Sequence, residues 1–577
     1  MAERLSGLRS TLPSSSGRRK TRRATKKTNS KARFRQVDVA FLNANVLTLA
    51  SRRPEAQALA IGQDRILKTG TNRKILSAVG KDAIVWNLHG ATVLPGFVDC
   101  HTHLVAYGLE LFGANLRQTR SISEIQDILV RQARRVGAGR WLLGYGWDQE
   151  KLKEQRFPNR FDLDAAVPDR PVCIFRICGH MCVINSEVVR LANITAATTP
   201  PIGGVIDRDR ETGEPSGLLR ENAMNIVTSL IPTRDDREVR EAALLAMRKA
   251  VSTGLTAVHC IVDDPQDIRV LNTMNRAGEL VVRIYLLIPD AWLCSATQMG
   301  ISTGFGDDML RIQAVKIFAN GSLGARTAAL EKPYSDARDT SGVIIHPQDE
   351  LNMIVQSAAR HGLQVAIHAI GDRAVSMALT AIEKANLTVP GSSGLRHRVE
   401  HASVLNRDLV VKMKNCKAIA SVQPHFIVSD VWVPERVGDK RARLVYPLRS
   451  LVESGATLVA GSDCPVEPID PLRGIYAAVA PLSRGYGEQV DTETAIRMFT
   501  KNAAYATYEE KLKGTIEVGK LADLVILDRN PLLVAPEEIR RINVLATMVG
   551  GRFVYVSKRF QATRVSSARG RLVQKHV

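Results

Sequence analysis

An apolar run over residues 94–99 leads through Cys100 into His101, Thr102 and His103. On a β-strand, residues two apart share a face. His101 and His103 can therefore aim both imidazoles at one point, as two ligands of one metal ion need. The same grammar recurs downstream. Short aliphatic runs end in Lys316, His368, His401 and Asp463. Gly, Pro or charged residues bound each run, which is how a buried parallel strand reads. Each candidate ligand falls at the C-terminal end of its strand, the end that carries the active site in a (β/α)₈ barrel.

In this order, His101, His103, Lys316, His368, His401 and Asp463 resemble the ligand set of the metal-dependent amidohydrolase superfamily. Further stretches resemble its YtcJ-like branch, amidohydrolase family 3, more narrowly. They include Gly144-Tyr145-Gly146-Trp147-Asp148, Arg156-Phe157-Pro158, the run from Val315 to Ala319 leading into Gly321-Ser322-Leu323-Gly324, Gly461-Ser462-Asp463-Cys464-Pro465 and Gly519-Lys520-Leu521-Ala522-Asp523. The resemblance spans residues 37–557.

The resemblance implies a binuclear metal centre. His101, His103 and Asp463 would hold one ion, and His368 and His401 a second. Two cations that close repel, so an anion should lie between them. The resemblance gives that place to a carboxylated Lys316, its carbamate derived from carbon dioxide. Nitrogen and oxygen ligands suit zinc, two ions per chain, without excluding manganese, iron, cobalt or nickel. A metal-bound hydroxide would be the nucleophile. Asp463 would take its proton and return one to the leaving group. The expected enzyme hydrolyses a carbon–nitrogen bond other than a peptide bond: an amide, an N-substituted formamide or a cyclic amide. An ester or lactone fits the same geometry, and the resemblance favours C–N. Two alternatives stand beside this reading. One is a non-catalytic regulatory scaffold acting through its tails. The other is a mononuclear, deaminase-like enzyme with an unmodified Lys316.

Trp147, Asp148, His259, Arg326, Gln423 and His425 are candidates to contact a small-molecule substrate. Each follows or ends an expected strand or glycine-rich turn. For Arg326 the alternative is an ion pair with a neighbouring acid. His180 reads as structural, and His89, His346, His361, His397 and His576 as ordinary. One departure from the family pattern is Asn320, where an Asp is common; Asn keeps the acceptor and loses the charge.

The elements that must position these residues read as α/β: a TIM barrel over 94–509, with an insertion around 140–220 overhanging the site. A small β-sandwich is built from both chain ends, 37–93 and 510–557. Barrel strands are expected at 93–99, 255–260, 312–317, 364–368, 396–401, 418–423 and 457–462, with one more at 141–146 or 171–177. Helices are expected over 237–252 and 351–361.

The formal net charge of +21 is not spread evenly. Residues 1–35 carry 12 Lys/Arg and one acid, and residues 558–577 carry 6 Lys/Arg and no acid, leaving +4 for the body. Tails this basic and poor in apolar residues read as disordered. The N-terminal one, residues 1–36, fits an organellar transit peptide, a nuclear or nucleic-acid patch, or a solvated extension. Nucleic acid is otherwise not an expected partner, and a homo-oligomer stays open. The 8 cysteines show no C-x-x-C pair, so reduced thiols and a cytoplasmic compartment are expected, with an organelle as the alternative. No run is apolar over the ~18–20 residues that span a bilayer.

Overall fold

Eight short strands pair in parallel, each with the next in the chain. They are β1 (Phe97–Thr102), β2 (Leu255–Ile261), β3 (Arg283–Pro289), β4 (Leu310–Phe318), β5 (Gln364–Ala369), β6 (Arg398–His401), β7 (Ile419–Val422) and β8 (Thr457–Ala460). The coordinates are a computed structural model that describes residues 36–565, apart from 53, 136–138, 233, 263 and 481–485. The basic tails over 1–35 and 566–577, with His576, lie outside the described residues.

The residues just past β8 close the ring onto β1. Asp463 N–H donates to His101 O, and His103 N–H to Cys464 O, each at 2.7 Å. Helices alternate with the strands, among them Asp236–Ser252 and Gln348–Arg360 near their expected positions. The interior is filled by aliphatic residues such as Ile261, Leu287, Ala314 and Ala366. The fold is the expected TIM barrel.

One strand is not where the sequence placed it. Leu142–Trp147 and Val172–Arg176 belong to a separate six-stranded sheet that begins at Ala114–Asn115 and ends in the hairpin Gly204–Arg208 with Pro215–Glu221. The barrel position goes instead to Arg283–Pro289, an apolar run with no metal-type ligand at its end. His259 lies on the second strand.

Two further sheets pack over a shared core that includes Phe41, Leu59, Val93, Leu524 and Met548. Their strands come from residues 39–95 and from residues 524–565, so both chain ends build them. Thr563–Val565 pairs with Ile84–Asn87, beyond the expected limit at 557. Gly550 and Gly551 turn the hairpin between Val544–Val549 and Arg552–Val556 at φ 54° and 76°, the conformation a tight hairpin turn needs. Among the described residues, no helix is long and apolar enough to cross a membrane.

A buried ion pair joins these sheets to the barrel. Arg283 Nε and Nη2 donate to Asp523 Oδ2 and Oδ1 at 2.7 and 3.0 Å. Burial alone would raise the Asp523 carboxyl, but the Arg283 guanidinium holds it below its ordinary range. A depressed carboxyl contributes stability that is present above its unfolded pKa and is lost as pH falls through the folded one. Arg283→Met leaves that charge buried and unpaired, and should lower the unfolding free energy by about 3–5 kcal/mol at pH 7. The deficit should shrink as Asp523 protonates in acid. Urea unfolding of both proteins between neutral pH and about pH 3 checks this, and a deficit that ignores pH would count against it.

Candidate metal centre

The strand ends bring the six expected ligands together. His101 Nε2 and His103 Nε2 lie 3.3 and 3.4 Å from Asp463 Oδ1. The ligand atoms of this triplet all fall within 4.8 Å of one another, as one ion would need. Lys316 Nζ is 3.3 Å from His101 Nε2 and 4.7 Å from the Phe318 ring centroid. The His401 ring centroid is 4.8 Å from that of His101 and 4.5 Å from that of His368.

Local backbone makes this convergence possible. Strict alternation would turn His401 away from Arg398 and Glu400, yet its ring lies against His101. His401, Ala402 and Asp463 take φ values of 69°, 45° and 57°, in the left-handed region that non-glycine residues rarely enter. Gly461 lets β1 approach closely, since a Cβ there would stand 2.5 Å from the His101 nitrogen. Asp99 Oδ1 accepts from the N–H groups of His101 and Ser462, tying the first and last strands.

The electrostatics suit a cation. Burial drives the imidazoles of His101, His368 and His401 well below their ordinary pKa, so they are neutral at neutral pH, as ligands must be. Burial alone would raise the Asp463 carboxyl, but His101, His103 and Lys316 hold it below its usual range, ionised. His401 Nδ1 is buried with no hydrogen-bond partner among the described residues. A buried polar atom of this kind calls for an explanation, and a metal ion supplies one. The donor set fits a divalent metal.

Behind the ligands stands a network whose role the sequence did not announce. His101 Nδ1–H donates to Glu400 Oε2 at 2.5 Å. Arg398 grips Glu400 with two bonds of 2.7 and 2.9 Å, and also donates to Cys100 O, Ser421 Oγ and His259 Nδ1. A signal existed: Arg398 and Glu400 are charged residues two apart on a strand that must be buried.

Above the strand ends a pocket opens onto His368, His401 and Asp463. Asp148 lines it as expected, paired with Arg176 at 3.0 Å. The other substrate candidates are placed elsewhere. Trp147 is fully buried in the insertion, its Nε1–H donating to Ile174 O. His259 is buried against Arg398 and supports the ligands from behind. Gln423 is buried and donates to Ser421 O. His425 engages Glu467, and it is Glu467 that reaches the wall. Arg326 pairs with Asp336 at 2.8 Å, the ion-pair alternative. His180 is the reverse correction. Read as structural, it lines the pocket, with its ring 5.2 Å from His368 and its Nδ1 2.8 Å from Glu221 Oε2. Burial opposes its charge, but the Glu221 carboxylate raises it to about 9. Nothing in its spacing could have found it, because it sits in a turn of the insertion.

Asn320 is buried, and its Oδ1 accepts from Ile370 N–H at 3.2 Å, so it braces the loop after β5. His89, His346, His361 and His397 bond to neighbouring side chains or backbone outside the pocket, as expected.

Residues 85–555 match the amidohydrolase family. The chain is 32% identical over 529 residues to YtcJ of Bacillus subtilis (strain 168), a protein named as an amidohydrolase; the alignment covers 88% of this chain and 98% of that one. It is 28% identical over 539 residues to the N-substituted formamide deformylase of Arthrobacter pascens, covering 90% and 98%. The crystal structure of an uncharacterized metal-dependent hydrolase from Pyrococcus furiosus matches with a TM-score of 0.69 at 33% identity, covering 86% of this chain and 99% of that one. A barrel of this kind, matched along nearly its whole length to such relatives, belongs to the amidohydrolase family, on its YtcJ-like branch of metal-dependent hydrolases.

Proposed function

We propose that this chain hydrolyses a non-peptide carbon–nitrogen bond of a small molecule, an amide, an N-substituted formamide or a cyclic amide, at a centre for two divalent ions. The observation that carries the reading is the gathering of neutral imidazoles, an ionised Asp463 and a buried Lys316 at one set of strand ends. His101, His103 and Asp463 would hold one ion, and His368 and His401 the other, with zinc the expected metal. Lys316, its amine joined to carbon dioxide through a new N–C bond with loss of a proton, would add an anionic carbamate to the ligand set. Bound there, the ions would supply Lewis acidity toward a scissile carbonyl and acidify water.

The chain's own residues do the rest. Asp463, held ionised, accepts the proton of the attacking water at a carboxylate oxygen and returns it to the nitrogen of the leaving amine. Glu400 fixes the His101 tautomer, so that Nε2 keeps its lone pair toward the centre. The choice of a C–N bond is supported by the Arthrobacter pascens relative, whose name gives N-substituted formamides as its substrates.

Elemental analysis of protein purified without chelator should find about two ions per chain, and Lys316→Ala at most about one. Protein that stays metal-free after zinc and bicarbonate are supplied would overturn the proposal. Asp463→Asn should lower kcat on N-formyl or N-acyl compounds by about 10²–10⁴-fold. Glu400→Gln should fold but bind metal about 10–100-fold more weakly, read from dialysis against a graded chelator. Unchanged affinity would reduce Glu400 to a packing role.

A further inference from the structure

One carboxylate on the pocket wall has no part in the proposed chemistry. Asp430 follows β7 and lines the pocket together with Phe426, Trp432 and Tyr446. Tyr446 Oη donates to its Oδ2, and Tyr486 Oη donates to its backbone oxygen at 2.8 Å. The other wall acids outside the ligand set have a basic side chain beside them. Asp148 has Arg176 at 3.0 Å and Lys151 at 3.5 Å, and Glu467 has His425. Among the described residues Asp430 makes no such ion pair, only the bond from a phenol. Burial pushes its carboxyl up to about 7, only partly opposed by Tyr446 and by the Arg176 charge.

A pocket-lining carboxylate without a cation is costly to keep ionised. Beside aromatic faces, it has the chemistry that recognises an organic ammonium, through an ion pair on one side and ring quadrupoles on the others. The aromatic wall is continuous with the metal centre. His401 and Phe426 stack at 6.3 Å, and Phe426 and Tyr446 follow at 6.5 Å.

We infer that Asp430, walled by Phe426, Trp432 and Tyr446, is a specificity subsite for a protonated amine carried at the far end of the substrate. This deepens and rests on the hydrolase reading above: the substrate class becomes an N-acyl or N-formyl compound with a cationic tail. A neutral tail leaves Asp430 without its partner, and an anionic tail is repelled.

The test uses two matched pairs with metal-loaded protein. N-(5-aminopentyl)formamide is compared with N-hexylformamide by kcat/KM, and pentylammonium with 1-pentanol by calorimetric titration. The wild type should favour the ammonium member of each pair by about 10-fold or more. Asp430→Asn should bring the members of each pair within about 2-fold, while Asp430→Glu, which keeps the charge, should retain a preference. Thermal melts show whether each variant is folded. Equal treatment of the two members by the wild type overturns the subsite whether or not Asp430→Asn folds, as does a preference that survives in folded Asp430→Asn. Binding of pentylammonium through Asp430, with no turnover of these formamides, their N-acetyl counterparts or a cyclic amide, would sink the hydrolase reading and leave the subsite standing. Turnover without preference would do the reverse.

Discussion

The ion pair between Arg398 and Glu400 is wholly shielded from solvent, and the placing of the candidate metal ligand His101 depends on it. Removing two charges from water costs several kcal/mol each, and attraction alone often fails to offset that cost. Here the geometry is as favourable as a guanidinium permits. Two bonds reach the carboxylate, and others reach Cys100 O on β1, Ser421 on β7 and His259 on β2. One arginine on β6 thereby ties together strands that are distant in sequence. The carboxylate it holds has one more acceptor site turned to His101 Nδ1. A core of the same volume built from leucines would be no less stable, but it could not set the tautomer of a ligand. The pair is better understood as a positioning device than as a source of stability.

That device works because the barrel can carry strain at its mouth. Left-handed backbone at a non-glycine residue costs of order 1–3 kcal/mol, and three such residues lie at the ends of β6 and β8. Two of them are held by a bond to a neighbouring strand segment: Ala402 N–H donates to Ala369 O at 3.1 Å, and Asp463 N–H to His101 O at 2.7 Å. Regular parallel ladders below the mouth leave these residues little alternative. Glu221 in the insertion shows the same feature, at φ 49°, and it is the partner of His180.

The candidate ligands were legible as a group in the sequence because each ends a run of buried aliphatic residues, and a polar residue in that place needs a reason. Seven barrel strands were legible by the same rule. The eighth, Arg283–Pro289, was not, because its end carries no candidate ligand; its marker is Arg283 at the other end, whose partner Asp523 lies 240 residues away. Trp147 and Gln423 misled for a related reason. A position after a strand says that a residue is near the mouth, but not which way it points, and both turned into the protein. His180 and Asp430 left no periodic trace, since turns and irregular loops have no repeat to read.

The division follows from what each part of the fold must do. Strand ends are fixed by ladders that the sequence pattern specifies, so the chemistry they carry can be read from spacing. The wall comes from segments far apart in the chain: the insertion and the residues after β4, β7 and β8, with the ends of β5 and β6. Its charges are assigned only when those segments meet. Asp148 with Arg176, and Glu467 with His425, are pairs between residues 28 and 42 positions apart. The Asp148–Arg176 pair cancels within the wall and leaves a ligand little net charge to meet there. An acid that finds no cation among the described residues of the wall therefore carries more weight in recognition than an acid that does.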